Sequence, residues 1–150
     1  VLGYRMMEQE RIDKRIKNAA LMHHERFDGS GYPFGLKGER IDTFASIVSI
    51  ADVYDALTSD RCYRSAVCPF EVIAIFESHG LTEYNPKFIL TFLEHIAQTY
   101  IGNSVRLSDN RLGKISMIDT KNLLRPLIQL ESGEFVDLSK HLDLYVEEIV

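Results

Sequence analysis

The sequence predicts a mainly α-helical domain followed by a small antiparallel β meander, and three observations carry that reading. Apolar residues recur at helical spacing as far as Gly102, beyond which short alternating segments are separated by turn-forming residues. A length of 150 residues with 45% hydrophobic content suffices for one ordinary globular core with a small appended unit, but not for two full domains. The expected division is a partial helical domain over residues 1–102 and a β-rich extension over residues 103–150.

VLGYRMMEQ reads as a helix fragment that starts without a cap. Asp13 is placed to N-cap a second helix, KRIKNAALMHHERF, in which Ile16, Ala19, Ala20 and His23 share a face, so that His23 continues the apolar stripe. Glycines at 29, 31, 35 and 38 together with Pro33 make Asp28 to Gly38 a loop. Thr43 is a candidate cap for the next helix, whose stripe of Phe44, Ile47, Val48, Ala51 and Tyr54 or Asp55 is expected to be buried. Pro69 at a first helical position and Gly80 after His79 bracket a helix through EVIAIFES, and Asn85-Pro86 opens another that Gly102 closes.

Strands are expected around Val105–Leu107, Leu112–Ile118, Leu123–Leu130 and Phe135–Leu138. Pro126 implies that its strand lies at an edge or is broken there. The final HLDLYVEEIV is compatible with a short helix or a strand. No internal repeat or low-complexity segment is present.

Formal charge is −5, and residues 131–150 account for all of it, with six acids against Lys140. The remainder is balanced, so no broad basic field of the kind that grips duplex nucleic acid is present. No apolar run approaches the roughly 20 residues of a membrane span, and no signal-peptide order is seen at the N-terminus. The default address is the cytoplasm. Cys62 and Cys68 are too few for a disulfide framework or a zinc site and read as reduced thiols, with Cys68 at a helix entrance before Pro69.

The stretch from His23 to Arg64 concentrates the residues with chemical potential. Adjacent histidines on one helix point about 100° apart, so His23 and His24 are poorly placed to chelate one ion but could each serve a different ion of a close pair. The competing reading packs His23 in the core and leaves His24 on the surface. Asp28 to Pro33 offers backbone N–H groups suited to an anion, or else is an ordinary tight connection. Asp52, in the apolar run SIVSIADVYDAL, reads as a buried carboxylate that needs a metal or another partner. Asp55 shares its face and either joins the site or pairs with Arg26 or Arg61. Arg61 and Arg64 flank Tyr63 and could fork a phosphate, though surface arginines are common. His79, His95 and His141 have no partner evident in the sequence.

Taken together, HHERFDGSGYP followed by IADVYDALTSDRCYR resembles the HD-GYP family, a bacterial branch of the HD superfamily of metal-dependent phosphohydrolases, with Gly31-Tyr32-Pro33 as the signature tripeptide. The match covers the chain to about residue 102. The resemblance implies a phosphodiesterase that opens cyclic di-GMP to the linear dinucleotide or to GMP, with two or three divalent transition metals, iron or manganese. It assigns His23, His24 and Asp52 as metal ligands and Arg61, Arg64, Tyr32 and Pro33 to substrate binding. It also implies a partner signalling domain. Independently of the family, mixed imidazole and carboxylate ligation suits iron, manganese or zinc.

The chain departs from the family pattern upstream of the loop, where the His-Asp doublet, a following lysine and a further histidine belong. No histidine precedes His23. The expectation is a truncated C-terminal portion of the domain, binding metal weakly, turning over little or nothing, and exposing apolar surface through which it pairs with a second copy. The rival reading is a non-catalytic regulatory module that binds a cyclic dinucleotide or a partner through the GYP loop. A third keeps hydrolysis and changes the substrate to another cyclic dinucleotide or phosphoester.

Overall fold

Helix-forming and strand-forming stretches separate along the chain where the sequence period changes. The computed structural model describes residues 2–63 and 65–150 and contains helices α1 (Leu2–Glu8), α2 (Lys14–Met22), α3 (Thr43–Thr58), α4 (Pro69–Ile75), α5 (Leu81–Glu83) and α6 (Pro86–Gln98). Strands β1 (Ser104–Leu107), β2 (Leu112–Asp119), β3 (Asn122–Leu130), β4 (Phe135–Asp137) and β5 (Val146–Ile149) follow. Two compact units result, one of Val1–Ser59 with Phe76–Leu90, the other of Asp60–Ile75 with Thr91–Val150.

In the first unit, Asp13 caps α2 as expected, its Oδ1 accepting the Arg15 N–H at 2.8 Å. The side-chain bond from Arg15, followed by this backbone bond, holds the Asp13 carboxyl below the usual carboxylate range. Because the folded-state value is depressed, this stabilisation is present above about pH 4 and is lost as the pH falls through the folded value. Carboxyl-carbon NMR of Asp13 is expected to titrate below that point, and a midpoint at or above it would contradict the capping account.

The next cap is Asp42, not Thr43: Asp42 Oδ1 accepts the Phe44 N–H at 2.9 Å, and Thr43 is the first helical residue. The aspartate prevails because its other oxygen also accepts Asn18 Nδ2 at 3.0 Å, which ties α2 to the start of α3. The faces of α3 largely reverse the expectation, Tyr54 being the one residue of the expected stripe that is buried. The buried side of the helix is Ala45, Ser46, Ser49, Ile50 and Tyr54, whereas Phe44, Ile47 and Val48 stand 39%, 45% and 42% exposed. Ser46 and Ser49 line a small cavity with Glu25, Phe27, Ile41, Glu83 and Tyr84, so contacts with the loop and α5 rather than hydrophobicity select the inner face.

Gly80 does not end a helix. The chain continues from α4 through a π-helical turn, Phe76–Gly80, into α5. A Cβ at Gly80 would sit 2.5 Å from Ile89 Cδ1, so the glycine serves close packing. Ile50 and Ile89 are the deepest aliphatic side chains of this unit.

The second unit is a five-stranded antiparallel sheet in the order β4-β3-β2-β1-β5, with α4 against β3 and β5. Alternation along β2 buries Gly113, Ile115 and Ile118 and exposes the residues between. The ambiguous C-terminal segment is strand β5, paired with β1, where Arg106 bridges Glu147 at 3.3 Å and also contacts Glu148. Pro126 lies in β3, an interior strand, so the edge placement is overturned. Nor is the strand broken there: β3 runs without interruption from Asn122 to Leu130, and the irregularity is confined to its pairing with β2, whose register shifts on both sides of Met117. Cys62 and Cys68 are free thiols, and burial pushes the Cys68 thiol up. Among the described residues, no helix is long and apolar enough to cross a membrane.

Candidate functional site

Helix α2 ends at Met22, and this termination decides the geometry of the histidine pair. His23 is the C-cap at φ −65° and ψ −12°, its N–H still bonded to Ala19 O at 3.1 Å, and His24 lies in the turn beyond. The rings are therefore not held at the divergence of an unbroken helix: their centroids are 4.1 Å apart with planes tilted by 45°. That corrects the expectation of two diverging side chains.

His23 Nδ1 lies 2.9 Å from Ala19 O. A carbonyl can only accept, so the contact is made by the Nδ1 proton and does not engage Nε2, the arrangement found in ligating imidazoles. His24 stacks on Tyr32 with centroids 4.7 Å apart and planes 25° apart. Desolvation, then the neighbouring His23, pushes the His24 imidazole below its ordinary value, and the Asp52 charge acts in the opposite sense. His24 is thus kept neutral, with a lone pair to offer.

Asp52 is exposed, contrary to the buried carboxylate expected from its apolar surroundings. The reason is the reversal of α3: Asp52 belongs to the open side of the helix with Val48 and Ala51. The case for Asp52 as a ligand therefore rests on its electrostatic proximity to His24, not on burial. Asp55 is also exposed, and its Oδ1 accepts the Ser59 hydroxyl at 3.3 Å.

The glycine loop is built differently from an anion cradle. Its N–H groups are largely spent internally: Gly29 on Arg26 O, Ser30 on Asp28 Oδ1, Tyr32 on His24 O, and Gly38 on Phe27 O. Two more go to Glu25, whose Oε1 accepts Phe34 N–H at 2.7 Å and whose Oε2 accepts Leu36 N–H at 2.9 Å. Donors committed to the fold are not available to a phosphate, so the role foreseen for this backbone is not met. Tyr32 and Phe34 instead project outward, 60% and 57% exposed, and the Tyr32-Pro33 bond is cis.

Glu25 is the residue that sequence reasoning passed over. It is 2% exposed and joins the histidine turn to the loop. The available signal was a single acid at the junction of a helix and a loop whose backbone donors cannot all pair with each other. Arg26, considered as a partner for Asp55, instead donates to Glu25 O at 3.2 Å and lies over the Tyr84 ring, 5.0 Å from its centroid.

The other candidates make contacts of their own or fall outside the described residues. Arg61 belongs to the second compact unit, where its Nη1 donates to Tyr63 OH at 3.4 Å. Arg64 lies outside the described residues. His79 contacts the Ser78 hydroxyl through Nδ1 at 2.7 Å, and His95 and His141 are exposed.

The donor chemistry of His23, His24 and Asp52 suits a divalent transition ion: two imidazoles, one with its tautomer set by a backbone carbonyl, and an accessible carboxylate. In number they fall short, since among the described residues no group of three or more His, Cys, Asp or Glu is gathered so as to hold a metal ion.

Comparison with known proteins places this geometry in context. Residues 1–88 match a family model described as HD domain. A cyclic di-GMP phosphodiesterase of Pseudomonas aeruginosa is 35% identical over 130 residues, 85% of this chain and 31% of the relative. A cyclic di-GMP phosphodiesterase response regulator of Xanthomonas campestris is 39% identical over 99 residues, 65% of this chain and 26% of the relative. A 3'3'-cGAMP-specific phosphodiesterase of Vibrio cholerae is 55% identical over 53 residues, 35% of this chain and 12% of the relative. The chain thus spans about a third or less of the length of these relatives. The HD match includes His23, His24 and Asp52, and the chain belongs to the HD domain family.

Proposed function

We propose that this chain contributes one wall of the active site of a metal-dependent cyclic di-GMP phosphodiesterase, completed by ligands that these residues do not supply. The observation that carries the reading is the histidine pair, with rings 4.1 Å apart and the Asp52 charge acting on His24, inside a segment that matches the HD domain. Names borne by the relatives point the same way. His23, held by Ala19 O, presents Nε2; His24, kept neutral, presents a second nitrogen; Asp52 contributes negative charge. Divalent ions, when bound, lower the pKa of water and neutralise phosphoryl charge, and iron or manganese fits these donors. Tyr32 and Pro33 form the exposed rim of the site, where an aromatic ring suits a nucleobase, and Arg61 and Arg64 are assigned to substrate phosphate. In this reading residues 1–102 serve the site and residues 103–150 form a β-rich extension, and the protein is cytoplasmic and coupled to a signalling domain.

The test combines metal content with product analysis on the full-length protein. About two or more transition ions per chain and hydrolysis of cyclic di-GMP to the linear dinucleotide or GMP are expected. A metal-free protein that binds cyclic di-GMP without hydrolysis would replace the enzyme by a regulatory module. Faster turnover of 3'3'-cGAMP would keep the chemistry and change the substrate, the outcome favoured if the name of the Vibrio relative is the better guide. These 150 residues alone are expected to bind metal weakly and turn over little, because the described residues gather no cluster of three ligands.

In the first unit Phe44, Ile47 and Val48 of α3 are exposed, as are Leu2 and Met6 of α1 at 74% and 71%. Exposed apolar patches drive association. The isolated chain is expected to self-associate through these residues in sedimentation experiments, and a monomer at all concentrations would count against it.

A further inference from the structure

We propose that Glu25 is a positioning residue for the histidine pair, its buried carboxylate clasping the loop backbone so that Tyr32 is set against His24. The inference rests on the reading of His23 and His24 as part of the active site. Among the described residues no charged side chain forms an ion pair with Glu25, yet it is 2% exposed. A buried carboxylate is strongly disfavoured unless its oxygens are satisfied. Here each oxygen takes one backbone N–H, from Phe34 and from Leu36, two residues apart in the loop. Neither donor has regular secondary structure to bond to, so carboxylate and loop satisfy one another.

The clasp has a consequence at the site because of where Glu25 stands. It follows His24 directly, and Tyr32, two residues before Phe34, closes back on the same turn through its N–H to His24 O at 3.2 Å. Gly31 completes the contact by bringing the loop against the backbone of His24, Glu25 and Arg26. The loop is thereby tied at Tyr32, Phe34 and Leu36, and the ring of Tyr32, the first of these ties, stacks on the His24 imidazole with planes 25° apart. Because the ties are to backbone, they set the path of the loop whatever side chains stand at 34 and 36.

Two readouts on the 150-residue chain test this. Amide hydrogen exchange is expected to be about 10- to 100-fold slower at Phe34 and Leu36 than at Gly35, since bonds to a charged acceptor contribute about 1.5–3 kcal/mol. In Glu25→Gln, where an amide NH2 opposes one backbone donor, that protection is expected to fall to the level of Gly35 and the ring-to-ring nuclear Overhauser contacts of Tyr32 with His24 to vanish. Slow amides at Ile50 and Ile89 would show the core intact. Exchange at Phe34 and Leu36 as fast as at Gly35 in the unsubstituted chain overturns the clasp without any variant. Persistence of the ring contacts in a folded Glu25→Gln overturns the positioning role. In the metal-loaded full-length protein, Glu25→Gln is expected to lower kcat about tenfold, with bound metal retained. Loss of the ring contacts in a protein that hydrolyses no cyclic dinucleotide would uphold the clasp and remove the phosphodiesterase reading instead.

Discussion

Gly31→Ala is expected to lower stability by about 3 kcal/mol and to dislodge the loop from the histidine turn. Conformation is not the obstacle, for Gly31 is absent from the positive-φ glycines. Space is. A Cβ built on Gly31 falls 2.3 Å from Arg26 N, 2.4 Å from His24 O and 2.5 Å from Glu25 Cα, all backbone atoms that cannot rotate away. Relief requires the loop to move outward, which stretches the Tyr32 N–H bond to His24 O and both bonds to Glu25. The unfolding midpoint is expected to drop by about 10 °C. Gly35→Ala provides the contrast, because there the nearest atom lies at 3.5 Å and the strain is of backbone conformation, at φ +62°. Calorimetry that finds Gly31→Ala as stable as the unsubstituted chain would contradict the packing described.

His23→Ala and Asp52→Ala are each expected to reduce hydrolysis by the full-length protein at least about 100-fold, the upper range for losing a residue that merely supports a ligand. The substitutions differ in their structural consequences. His23→Ala removes the Nδ1 contact with Ala19 O at the end of α2, so its stability is expected to change as well. Asp52 is exposed and has no packing duty, so Asp52→Ala is expected to fold as before and to lose metal and activity alone. Asp52→Asn sharpens the test by retaining size while removing the charge felt by His24. Unchanged metal content and turnover in folded Asp52→Ala would exclude Asp52 from the site and leave the histidine pair as its sole support in this chain.

Much of the architecture could be read from local chemistry. The helical stretches, the turn formers after Gly102 and the strands of the meander follow from spacing and from residues with few conformational options, and the HD family follows from HHERFDGSGYP with IADVYDAL. The Asp13 cap was equally legible, since a side chain bonding its own neighbour needs nothing from the rest of the fold. Local chemistry also offers false choices. Thr43 and Asp42 both fit a cap, and only the reach of Asn18 from α2 distinguishes them.

What residue order could not decide was which surface faces inward. Phe44, Ile47, Val48 and Ala51 of α3 lie open while Ala45, Ser46 and Ser49 are buried with Ile50 and Tyr54, and that arrangement moved Asp52 from the expected interior to solvent. The loop shows the same division. Its glycines announced an irregular backbone, but whether the N–H groups served a phosphate or the protein depended on the burial of Glu25 nine and eleven residues away from its partners. Residue types in order determine the helical stretches and most of the strands, because these depend on near neighbours in the chain, and the motifs around His23, His24 and Asp52 carry the HD family match. The closeness of the two imidazoles, the stacking of Tyr32 and the clasp of Glu25 arise only when the end of α2 and the loop fold back on each other, because they depend on contacts between separated parts of the chain.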